Sequence, residues 1–181
     1  MTHDPQTPCS AFAGNRKITQ GPLHQLARAL PKDGSALVFS DLTGQVIDID
    51  PRGYPEPPSP KRGPGRPKLG VIPREVTLLQ RHWDWLGQQP GGASAALRRL
   101  VDAARRADGG ETDARAAREA AYRFVQALAG DLEGFEEATR ALFAGDLEGF
   151  AARMAGWPAD LRQHALRLAT PATGDGPGTT P

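Results

Sequence analysis

Between Pro51 and Pro67 the chain carries prolines at 51, 55, 57, 58, 60, 64 and 67. Proline has a fixed φ and no backbone N–H, so neither a helix interior nor a central strand can run through this stretch. The sequence therefore predicts an extended, semi-rigid, Pro/Gly-rich linker over 51–69, dividing a small head from a longer region after it. The 181 residues are 39% hydrophobic and 24% charged, enough apolar material for a real core. Unstructured ends are expected over 1–8 and over the Gly-, Pro- and Thr-rich 170–181.

The net charge of +1 argues at first against a polyanionic partner, but the charges are unevenly placed. Residues 1–59 carry 5 basic and 6 acidic side chains, residues 60–106 carry 10 and 3, and residues 107–181 carry 7 and 12. A basic middle of net +7 thus lies between a near-neutral head and an acidic tail, and can by itself attract a polyanion. The single cysteine, Cys9, excludes an intrachain disulfide and any multi-cysteine metal site. No apolar run approaches the roughly 20 residues of a membrane helix. The start Met1-Thr2-His3-Asp4-Pro5 lacks a basic-then-apolar signal pattern, so a cytoplasmic location is expected.

The predicted fold class is α+β. In the head, over 9–50, Ser10–Ala13 and Arg16–Thr19 flank Gly14-Asn15, a glycine-first pair suited to a hairpin turn. Pro22 opens a helix with Leu23, Leu26, Ala27 and Leu30 at helical spacing. Two strands follow, 36–40 and 45–50, around Asp41-Leu42-Thr43-Gly44. The order is strand, strand, helix, strand, strand. The region 108–169 reads as mostly helical: an alanine-rich helix from Ala114 to Ala129, then a repeat. Ala129-Gly130-Asp131-Leu132-Glu133-Gly134-Phe135 recurs as Ala144-Gly145-Asp146-Leu147-Glu148-Gly149-Phe150. In each copy Gly is expected to close one helix and Asp to cap the next, and a last helix is expected over 160–169.

The basic middle contains the residues with chemistry. Gly65-Arg66-Pro67-Lys68 resembles the core of an AT-hook, whose narrow ribbon places a guanidinium in an A·T minor groove. Where that pattern has Arg before the Gly this chain has Pro64, and the nearest arginine is Arg62. Over 70–107, Arg74-Glu75-Val76-Thr77-Leu78-Leu79 is a β-prone stretch. A helix carrying Leu79, Trp83 and Leu86 on one face follows, ended by Gln88-Gln89-Pro90-Gly91-Gly92. Ser94 is expected to cap a second helix with Leu97, Leu100, Val101 and Ala104 inside and Arg98, Arg99, Arg105 and Arg106 outside. Trp83 is placed in the core; Trp85, two residues on, points away from it and needs a second surface, so it is the candidate partner-binding residue.

This strand-helix-helix order resembles the ribbon-helix-helix DNA-binding fold, in the turn and second helix of Gly92-Ala93-Ser94 and Leu97-Arg98-Arg99-Leu100-Val101. The resemblance implies a homodimer whose paired strands enter the major groove while the second helix's N-terminus grips a phosphate. Arg74, Glu75 and Thr77 would then face base edges, and the Gly92–Ser94 backbone would face phosphate. Glu75 departs from an anion-binding surface, since a carboxylate there can only accept, as from a cytosine amino group. A plain helical hairpin whose strand pairs with the sheet of the head is the other reading of this segment.

Along its length the chain is similar to a bacterial family known as domain of unknown function 2239. The resemblance lies in Gly65-Arg66-Pro67-Lys68-Leu69-Gly70-Val71, Arg74 to Leu79, His82-Trp83-Asp84-Trp85-Leu86, Gln89 to Ser94, and Gly130-Asp131-Leu132 with Phe135 to Leu142. It implies no activity, cofactor or substrate.

No catalytic set is found: no P-loop, no Gly-x-Ser-x-Gly elbow, no His-Glu-x-x-His pair. The histidines at 3, 24, 82 and 164 fall in four different elements, and Asp48 and Asp50 lack a third ligand for a metal. A non-enzymatic protein without cofactor or metal is expected. The leading function expected is DNA binding, in transcriptional regulation, through Arg62, Arg66, Lys68, Arg74, Glu75, Thr77, Gly92, Ser94, Arg98 and Arg99. The alternative is a protein-interaction or scaffold role in which the basic segment pairs with acidic Asp131, Glu133, Glu136 and Glu137 of the tail.

Overall fold

Gly14 takes φ +55° at the tip of the first hairpin, and the strands it joins are β1 (Pro8–Ala13) and β2 (Arg16–Pro22). The computed structural model describes residues 3–31, 34–49, 54 and 72–171. The remaining elements are α1 (Leu23–Ala29), β3 (Leu37–Ser40), β4 (Val46–Ile47), α2 (Gln80–Gly87), α3 (Gly92–Ala107), α4 (Glu111–Ala129), α5 (Phe135–Phe143), α6 (Leu147–Arg153) and α7 (Ala159–Ala169). The architecture is α+β, with one antiparallel sheet in the order β2-β1-β3-β4. β4 is shorter than the expected 45–50 strand: as the edge strand it pairs only with β3, through Val38 with Ile47 and Phe39 with Val46.

Two compact units divide the chain: Met1–Pro58 with Thr112–Pro181, and Ser59–Glu111. The head and the helical tail, separate in the sequence reading, are therefore one unit. The reason lies in β1, whose Cys9, Ser10, Ala11 and Phe12 are all buried. Successive side chains on a strand point to opposite faces, so burying all four requires a layer on each side. On one face Cys9 and Ala11 pack with Leu23, Leu26, Leu30, Val38 and Ile47. On the other, Phe12 and Phe39 join a core shared with Phe124 of α4 and Leu161 and Ala165 of α7. Phe12, Phe39 and Phe124 meet edge-on or tilted at 5.0–5.9 Å between centroids, the geometry aromatic rings favour. α4 presents Ala117, Ala120, Ala121, Phe124 and Val125 as its buried stripe, and its small alanines let the sheet approach closely.

Pro5 and Thr7 are tied down, where an unstructured segment was expected over 1–8. α1 has no side-chain cap, and its first free donors are satisfied from this segment instead: Leu23 N–H donates to Thr7 O at 2.9 Å and His24 N–H to Pro5 O at 3.0 Å.

The two copies of the seven-residue repeat fold differently. In the second, Asp146 caps α6 by accepting from Gly149 N–H at 2.8 Å, as expected. In the first, Asp131 caps nothing, and α5 begins only after Gly134 at φ +79°. The Trp157 indole donates to Glu133 O at 2.8 Å, holding that copy's backbone out of the helix.

Asp41, in the turn between β3 and β4, accepts from Arg167 Nη2 at 2.9 Å. The same nitrogen reaches Ser10 Oγ at 3.2 Å and His164 Nδ1 at 2.9 Å, so turn, β1 and α7 meet in one polar cluster. Beside it, the Cys9 thiol is pushed up to about 12, chiefly by burial and secondarily by the Asp41 charge. Because the thiolate is the nucleophile, native Cys9 is expected not to react with an aromatic disulfide reagent at about pH 8, and to react fully in concentrated urea. Stoichiometric colour release from the folded protein would contradict this.

Candidate nucleic-acid interface

The second unit is built on a tight turn. Gln88 and Gln89 N–H donate to Trp85 O and Leu86 O at 3.2 Å each, and Gly92 N–H to Gln89 O at 2.9 Å. Gly91 lies at φ +82°, where a Cβ would also stand 3.1 Å from Ala95 Cβ, so glycine is required there. The left-handed turn starts α3 at Gly92, earlier than expected. Ser94 consequently lies inside the first turn and is not the cap; its Oγ accepts from Arg98 Nη1 at 3.2 Å. Arg99 Nη1 donates to Pro90 O at 3.1 Å, clipping the turn to the helix. Gly92, Ser94, Arg98 and Arg99 are thus gathered at the start of α3. Arg105 and Arg106 are exposed in its last turn, where cations suit the negative helix end.

Residues 72–79 form no strand. Arg74, Glu75, Val76 and Thr77 are exposed. A ladder needs a second strand to take up its N–H and C=O groups, and among the described residues the sheet consists of β1 to β4 alone. The 74–79 strand expected by both the ribbon-helix-helix order and the plain-hairpin reading is therefore not formed among the described residues. Arg62, Arg66 and Lys68 lie outside the described residues.

The apolar residues of this unit are poorly covered. α2 buries Leu86 and α3 buries Ala96. Trp83, expected in the core, is 39% exposed; Trp85 is 51%, Leu100 48% and Val101 55% exposed. A groove of about 440 Å³ runs between the helices, lined by Leu78, Arg81, His82, Trp85, Leu86, Leu97 and Leu100. Arg81 was not singled out from the sequence. Its position four residues before Trp85 puts both on one helix face, and that spacing was the available signal.

No group of three or more His, Cys, Asp or Glu side chains that could hold a metal ion is present among the described residues. Among them no helix is long and apolar enough to cross a membrane. No curated protein and no solved structure matches the chain. A family model matches residues 8–169, nearly the whole chain and both units. The chain accordingly belongs to the family described as "Uncharacterized protein conserved in bacteria (DUF2239)".

Proposed function

We propose that the segment 60–106 binds DNA as a homodimer, in a cytoplasmic protein that acts on its target by binding rather than by catalysis. One observation carries the reading: a helical hairpin that buries one side chain from each helix displays exposed Arg98, Arg99, Arg105 and Arg106 on the helix whose Leu100 and Val101 lack cover. Two copies joined through those apolar residues would double the arginine surface and give each 72–79 segment a second strand to pair with. The hook-like Arg62, Arg66 and Lys68 would then reach the minor groove beside the dimer, with Arg74, Glu75 and Thr77 at base edges and Gly92 and Ser94 at phosphate.

Gel mobility shift on random duplex is the test. If about six phosphates are neutralised, the log–log slope of affinity against salt is expected to be about −5. Absence of a shift at low salt overturns the reading. Arg66→Ala with Lys68→Ala is expected to weaken binding to A·T-rich duplex several-fold more than to G·C-rich duplex, since only the narrow groove concentrates the potential that a hook exploits. Leu100→Glu is expected to abolish both the dimer, by sizing, and the shift.

A second reading, a protein-interaction or scaffold role, draws on the exposure of Trp85 beside the groove. The mobility shift separates the two: where the basic segment is engaged by acidic side chains, as this reading has it, no salt-dependent shift is expected even at low salt.

A further inference from the structure

A second apolar cavity lies in the first unit, between the end of α1 and the strands β3 and β4, with a volume of about 500 Å³. Its walls include Ala27 and Leu30 from the helix side, Val38 and Ile47 from the sheet, and Ala36 and Ile49 from the loops. Leu30, Val38 and Ile47 are at most 8% exposed and belong to the small core on this face of the sheet. The floor is therefore a fixed part of the fold, and the volume falls within the range of small-molecule sites. Asp48 is the single ionisable side chain among the described lining residues, and it is exposed. Tyr54 donates to the Asp48 backbone carbonyl at 3.4 Å and packs on the same core, so that strand end is held.

An open aliphatic wall with one carboxylate beside it has a definite complement. The wall favours a hydrocarbon body; the carboxylate favours a cation and repels an anion. We propose that this cavity is a binding site for a small hydrophobic amine, its hydrocarbon against Leu30, Val38 and Ile47 and its ammonium group against Asp48. The inference is independent of DNA binding, which uses residues of the other unit.

The test is titration of the full chain with octylamine and, in parallel, octanoate, both below their micellar concentrations, followed by calorimetry and by methyl NMR. Saturable octylamine binding that shifts the Val38 and Ile47 methyls is expected, with octanoate at least tenfold weaker. Asp48→Asn should reduce that preference to within about twofold while keeping the hydrocarbon contact, because the charge–charge part alone is removed. Ala36→Trp, at a half-buried loop position, should fill the cavity and remove binding; if that variant fails to fold, the methyl map of the wild type still locates the ligand. Absence of saturable binding, methyl shifts elsewhere, or equal affinity for octanoate would each overturn the proposal.

Discussion

Gly44→Ala is expected to destabilise the first unit by about 2–5 kcal/mol, lowering the thermal midpoint by roughly 10 °C. Gly44 sits at φ +66°, and a Cβ there would lie 1.9 Å from the carbonyl oxygen of Ala120, 2.6 Å from its carbon and 2.9 Å from its Cα. All three atoms are α4 backbone, so no side chain can swing aside. The left-handed conformation costs an alanine about 1–2 kcal/mol, and forcing atoms into a packed interior adds about 1–3 kcal/mol. Relief requires the turn to lift from α4. That breaks the bond from Arg123 Nη1 to Thr43 O at 3.0 Å and draws Asp41 away from Arg167. Gly14→Ala is the matched control: it has φ +55° and nothing within 4 Å of the added Cβ, so it carries only the conformational cost. Circular dichroism during urea unfolding measures both. Equal losses for the two variants would show that the turn does not bear on α4 as described.

The same turn marks the boundary of what could be read from the sequence. Its hairpin neighbours, α1 behind Pro22 and the alanine-rich α4 were legible because their signals are local: a glycine pair, a proline at a helix start, apolar residues at helical spacing. That Gly44 would meet Ala120, or Asp41 meet Arg167, is set by pairings 76 and 126 positions apart, and nothing local encodes them. The repeat makes the point within one heptapeptide. Identical residues at 129–135 and 144–150 form a turn in one copy, where Trp157 binds Glu133 O, and a capped helix in the other, where Asp146 accepts from Gly149 N–H. At the candidate interface the two helices and their glycine turn were legible. The exposure of Trp83 was not, since an apolar stripe says that a residue needs cover without saying which chain supplies it. The 74–79 strand was expected from propensity alone, and propensity for a strand is realised only against a partner.

Acidification is expected to weaken the first unit through His164. The ring is 2% exposed, between Phe12 and Phe124 at centroid distances of 5.1 and 4.4 Å. A guanidinium can only donate, so Arg167 Nη2 at 2.9 Å from Nδ1 requires that nitrogen to be the acceptor. The proton of the neutral ring then resides on Nε2, which is buried without a hydrogen-bond partner, 3.6 Å from Asp41 Oδ1. Protonating the ring would set an N–H against the guanidinium. Burial first, then the Arg167 and Lys17 charges, lower the His164 pKa from 6.5 to about 3. The unfolded chain takes up this proton near 6.5 and the folded one only near 3, so the contribution is complete above pH 6.5 and is lost as pH falls through that window. The slope is about 1.4 kcal/mol per pH unit, or about 3 kcal/mol between pH 7 and pH 4. Carboxylates titrate in the same range, so the informative quantity is the difference from His164→Phe. That variant keeps the aromatic packing and leaves Arg167 bound to Asp41 and Ser10. Urea midpoints measured from pH 7 to pH 4 should fall more steeply for the wild type than for the variant. Parallel curves, or an NMR titration of the ring near 6.5 in the folded protein, would show that His164 accepts a proton in place and that the cluster tolerates the charge.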